Sequence, residues 1–156
     1  MKYGIRLFLL FVICWMSSLI AQDNKENWVS ILSTTPNEVY VNTQGLDVFQ
    51  GDDIYAWVRT VYYPPMEVET IDKDVYTSKE YWLINKKLRR YSILQVIYYD
   101  KNGNVLKSFS YNHDSDVMVY KYNYPIIPDS DEDKILNECL RAVGTTTNTD
   151  SSGVKN

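Results

Sequence analysis

The chain has 156 residues, 45% hydrophobic and 23% charged, with 16 Lys and Arg against 20 Asp and Glu for a formal net charge of −4. These proportions exclude a fully disordered or collagen-like chain, and the acidic balance argues against general nucleic-acid binding, whose affinity comes largely from neutralising phosphates. Tyrosine is the outlier, with 14 Tyr beside 4 Trp and 4 Phe, and rings with a polar tip suit half-buried sheets and adhesive surfaces.

The first residues read as an export signal. Lys2 and Arg6 precede an apolar run from Leu7 to Ile20, and Ala21 offers a small residue for cleavage. The run is short for a membrane span of about 20 residues. Cleavage after Ala21 is expected, leaving no spanning segment, and an uncleaved anchor is the alternative. Cys14 follows the bulky Val12 and Ile13, which does not fit a lipobox. Loss of Lys2 and Arg6 leaves 14 basic residues against 20 acidic ones, a balance of −6. Only Cys139 remains, so the exported chain folds without an internal disulfide.

Residues 22–144 are read as one domain, α+β and mainly β: an antiparallel sheet meander with one C-terminal amphipathic helix packed on it. Strands are expected at Trp28–Thr34 and Glu38–Val41, separated by the turn signal Pro36-Asn37, and a short one at Leu46–Phe49 after Gly45. Asp53–Tyr63 is the longest early strand. Both of its faces are largely apolar, which predicts a central strand covered on both sides, stopped by Pro64-Pro65. Met66–Val75 is acidic and irregular and is expected to be a long loop. Tyr76–Asn85 resumes the alternation, Lys86-Lys87-Leu88 connects, and Arg89–Tyr99 follows. Asp100–Asn104 predicts a hairpin with Gly103 in the left-handed region, returning through Val105–Tyr111.

The period then changes. Ser130 is a plausible N-cap, with Asp131, Glu132 and Asp133 in the first turn, where the helix dipole favours negative charge. Ile135, Leu136, Cys139, Leu140 and Val143 recur at helical spacing, and Gly144 is expected to be a left-handed cap. Residues 145–156 lack apolar periodicity and read as a disordered polar tail.

No catalytic, cofactor or metal site is expected. His113 is the single histidine, in a polar stretch without a nucleophile motif, and Cys139 falls on the apolar helix stripe. Asp129, Asp131 and Asp133 imitate the start of an EF-hand loop, but Lys134 and Leu140 stand where that loop needs Gly and Glu. Paired carboxylates such as Asp52, Asp53 and Glu80 are the enzymatic alternative. The candidate partner site is Lys86, Lys87, Arg89 and Arg90, a positive cluster fit to dock a polyanion or an acidic segment, unless it is simply a solvated hairpin end. Tyr62, Tyr63, Tyr98, Tyr99, Tyr120, Tyr122 and Tyr124 supply either interface or sheet packing.

The order of elements resembles the surface-adhesin protein E-like family of exported bacterial proteins. The likeness runs through Trp28-Val29, Tyr40 and Ala56–Tyr62. It is most specific at Lys79-Glu80-Tyr81-Trp82, Arg89–Leu94, Tyr98-Tyr99-Asp100 and Asn102–Val105, and ends with Pro125–Pro128 and the closing helix. It covers residues 28–144. Family members commonly pair two cysteines, at positions that are Lys86 and Gly144 here, so both partners of that staple are gone together. The resemblance implies an exported protein of the periplasm or outer surface. For the adhesins proper it also implies binding of host matrix proteins as a homodimer. The expected function is thus a non-enzymatic module binding an extracellular protein or polyanion. The alternative is a periplasmic carrier holding a small ligand in a Tyr/Trp-lined cleft between sheet and helix.

Overall fold

The structure is a computed structural model that describes residues 26–34, 36–111 and 121–144. The expected export signal, His113, Tyr120 and the expected polar tail lie outside the described residues. Six strands follow one another as neighbours in an antiparallel meander: β1 (Trp28–Thr34), β2 (Asn37–Asn42), β3 (Asp53–Val68), β4 (Ile71–Asn85), β5 (Arg90–Tyr99) and β6 (Val105–Ser110). A two-residue strand, β7 (Tyr124–Pro125), pairs with β5, and helix α1 (Asp131–Gly144) closes the described chain. Among the described residues no helix is long and apolar enough to cross a membrane.

Period-2 alternation places Ile54, Ala56 and Val58 of β3 on the face that also carries Val41 of β2 and Trp82 and Ile84 of β4. All are buried, and Ile135, Leu136 and Cys139 of α1 complete this core with Leu46 and Ile126. Leu46 enters from a 3-10 turn, Leu46–Val48, rather than from the strand expected there. Gly45 at φ 75° reverses the chain, and the three residues that follow tuck Leu46 against the helix instead of pairing with a strand. Burial pushes the Cys139 thiol up to about 12, so this side chain behaves as a small hydrophobe.

Two expectations for the middle of the chain are corrected. Pro64-Pro65 does not stop β3: pairing with β4 lapses between Val61 and Met66, so no ladder hydrogen bond is asked of the prolines. The pairs Met66–Val75 and Val68–Ile71 then carry the hairpin on as a two-stranded arm, where a loop over 66–75 was expected. Its turn, Glu69-Thr70, lacks the Gly, Asn or Pro that marks most hairpin turns.

Local chemistry sets the later elements. Asp100 accepts from the backbone N–H groups of Asn102 and Asn104, both at 2.9 Å, and Gly103 takes φ 79°, which closes the expected hairpin. The Ser130 hydroxyl accepts from the Asp133 N–H at 3.2 Å and caps α1. Gly144 remains helical, and positive φ among the described glycines occurs only at Gly45 and Gly103. The freedom glycine has to turn left is not used there.

Candidate functional site

The two faces of the sheet differ. β3 is central, between β2 and β4, and among the described residues α1 and the core roof only its Ile54–Val58 side, where cover on both sides was expected. On the other side Tyr55, Trp57 and Arg59 stand half-buried, in register with Leu83, Tyr81 and Lys79 of β4 and, for Arg59, with Tyr40 of β2. Their rings cover one another laterally, so an apolar face forms without a second layer among the described residues. Trp57 stacks on Tyr81 with centroids 4.9 Å apart, Tyr81 meets Tyr55 at 6.0 Å, and Tyr55 meets Phe49 at 5.7 Å.

Beside this ladder sits a cationic cluster. The Arg59 guanidinium lies 4.8 Å from the Trp28 ring centre and 4.4 Å from that of Tyr40, and Lys79 Nζ lies 5.2 Å from Trp28. Glu26 is the acid of the cluster. Its carboxylate accepts from Trp28 Nε1 at 2.9 Å and from Lys79 at 3.0 Å. These two bonds, with the nearby Arg59 charge, hold its carboxyl below the usual range. The Arg59 side chain is held by ring contacts, and its buried Nε has no acceptor among the described residues. A groove of about 610 Å³ runs from Arg59 and Lys79 past Tyr63, Tyr76 and Tyr99 to Lys101 on the hairpin. It opens on the face away from α1, so it is distinct from a cleft between sheet and helix.

One end of this face is closed by the chain leading into β7. Ser92 donates to the Lys121 carbonyl and accepts from the Asn123 N–H, each at 2.8 Å. Tyr122, 2% exposed, donates to Asp53 at 2.6 Å, and Lys121 and Asn85 bond the same carboxylate at 3.0 and 2.7 Å. Burial alone would raise the Asp53 pKa, but the Tyr122, Lys121 and Asn85 bonds outweigh it and the carboxyl is held low.

The basic cluster expected from the sequence is largely drawn into structure. Arg89, at φ 50°, sits in the β4–β5 turn rather than at the head of β5 and pairs with Asp133 at 2.5 Å. Arg90 donates to the carbonyls of Tyr122 and Asn123 at 2.9 and 3.0 Å. Lys86 is half-buried and Lys87 exposed. The tyrosines divide as well: Tyr63 and Tyr99 line the groove, Tyr122 is buried, Tyr62 shares a 2.9 Å hydrogen bond with Ser78, Tyr98 packs on Phe109, and Tyr124 is exposed.

Of the carboxylates Asp52, Asp53 and Glu80, the last two do not converge. Asp53 lies on the face of Asn85, whereas Glu80, five residues back along β4, lies on the opposite face. Burial raises the Glu80 pKa, opposed by its single bond from Trp82 Nε1 at 2.9 Å. The same burial, with Glu132, Glu80 and Tyr124 nearby, pushes Tyr91 up to about 12. Among the described residues no three His, Cys, Asp or Glu gather as metal ligands.

What sequence reading missed is the Arg59 cluster. Its signal is an arginine in mid-strand, flanked at alternate positions by Tyr55, Trp57 and Tyr63. The rings that hold it come from β1 and β2, which a local window does not join. Comparison with known proteins gives no match: no family model, no curated protein and no solved structure matches the chain.

Proposed function

We propose that the protein is an exported, non-enzymatic binding module of the surface-adhesin E type, which captures an extracellular protein or polyanion on the exposed face of its sheet. The observation that carries this reading is the half-buried belt of Tyr55, Tyr81 and Trp57 on the face opposite α1, met at the core edge by Phe49 and running into the Trp28–Arg59–Tyr40 cluster. Large amphipathic rings beside an arginine are the side chains that most often anchor protein interfaces. The likeness to the adhesin E family supports the same reading. Lys86 and Lys87 add positive charge in the β4–β5 turn, and such peripheral charge acts on association rate and salt dependence more than on affinity.

The test is binding of the purified protein to a panel of matrix proteins and to heparin, at low and at physiological salt. Saturable binding that survives physiological salt supports the module, and Lys86→Glu with Lys87→Glu should slow association without unfolding the chain. Binding that salt abolishes, or none, overturns it.

A further inference from the structure

We propose that the groove between Arg59 and Lys101 is a binding site for an acidic peptide segment of a partner protein, with Arg59 and Lys79 receiving a carboxylate side chain at one end and Lys101 a second at the other. This rests on the binding-module reading and assigns the partner chemistry and the residues that meet it.

The first support is electrostatic. Arg59 and Lys79 face each other directly across β3 and β4, an arrangement of like charges that costs stability unless an anion lies between or above them. Glu26 bonds Lys79 directly and reaches Arg59 only through space, and its side chain is half exposed at 51%. Arg59 is left with ring contacts on Trp28 and Tyr40 and a buried Nε that no described residue satisfies. Buried donors in folded proteins are rarely orphaned, and the exceptions concentrate where a ligand or water completes them. The rings also fix the guanidinium in place, so little side-chain entropy is lost when a carboxylate docks on it.

The second support is the composition of the walls. Asp100 is the single acid of the groove, and its carboxylate is already taken by Asn102 and Asn104. Arg59, Lys79 and Lys101 thus line the groove with Tyr63, Tyr76 and Tyr99 in about 610 Å³, a size suited to a few residues of extended chain. Rings between the cations ask for apolar groups between the anions, as an acidic peptide with interspersed aliphatic residues provides. A sulfated polymer offers dense charge and little apolar surface, and meets a chain whose formal net charge is −4.

Glu26 then acts as an internal occupant of the site, displaying how a carboxylate is received: one bond from Lys79 and one from the Trp28 indole. Removing its charge should free the site, an effect that a purely structural cluster would not produce.

The experiment is titration calorimetry of the full chain with a capped Glu-Leu-Glu-Leu-Glu peptide, its Gln-for-Glu counterpart and a heparin oligosaccharide. Saturable binding of the Glu peptide alone is expected. Lys101→Glu, on an exposed hairpin where folding is not at stake, should weaken it about fivefold, and Glu26→Gln should tighten it about twofold. Arg59→Gln should weaken it about tenfold or more. Equal binding of the Gln peptide, preference for heparin, or indifference to Lys101→Glu and Glu26→Gln overturns the site. A matrix protein that still binds those two variants at native affinity removes the groove and leaves the binding module standing, whereas failure of every matrix protein to bind removes the module itself.

Discussion

The same strand shows both faces of the molecule. Along β3, Ile54, Ala56 and Val58 are at most 2% exposed, while Tyr55, Trp57 and Arg59 between them remain half-buried. The first set is small and aliphatic and packs under α1 to a dry interior. The second is large, ringed or charged, and stabilises itself sideways by stacking. Burial of aliphatic surface contributes about 25 cal/mol per Å² whatever its neighbours, so the roofed face can be filled by volume and shape alone. The other face requires hydrogen-bond donors, ring geometry and a fixed arginine, which that contribution does not explain. One face accounts for the fold, and the other is the face proposed above for recognition.

The largest break in this comparison is a cavity under the helix. Leu136→Ala empties a position that is 0% exposed and should cost about 3 kcal/mol in chemical denaturation, with partner affinity of the folded fraction unchanged. A smaller effect is expected where the strap before β7 closes the open face. Tyr122→Phe removes a donor to Asp53 and should cost about 1.5 kcal/mol. It should also make the acid limb of stability shallower. Asp53 is held low in the fold, so its contribution is complete above the unfolded pKa and is lost as pH falls through the folded value; with Tyr122 gone that difference narrows.

The smallest expected change has the opposite sign. Burial raises the Glu80 carboxyl, so the folded chain holds that proton more tightly than the unfolded chain does. Its ionisation penalises the fold as pH rises through the folded value, and the penalty is relieved as pH falls. Glu80→Gln keeps an acceptor for Trp82 and should add about 0.5 kcal/mol or more near neutral pH, vanishing in acid. Thermal unfolding at pH 5 and pH 8 checks the sign.

Legibility in the sequence followed the range of the interactions. The hairpin at Asp100–Asn104 and the cap at Ser130 are made by residues within four positions of one another, and both were readable. The Arg89–Asp133 pair joins residues 44 apart, so the basic cluster looked free in sequence although half of it is bound in the fold. The arm at 66–75 was hidden because Glu69-Thr70 carries no turn chemistry. Apolar residues on both sides of β3 looked like double burial because ring-on-ring packing and burial by a second layer leave the same pattern in one strand.

The most direct test of the two-face account measures stability and matrix-protein binding together in Trp57→Ala with Tyr81→Ala. The account predicts a folded protein, destabilised by no more than about 2 kcal/mol, whose partner binding is lost. Native affinity in this double variant, or loss of the fold with no separate loss of binding, would contradict it.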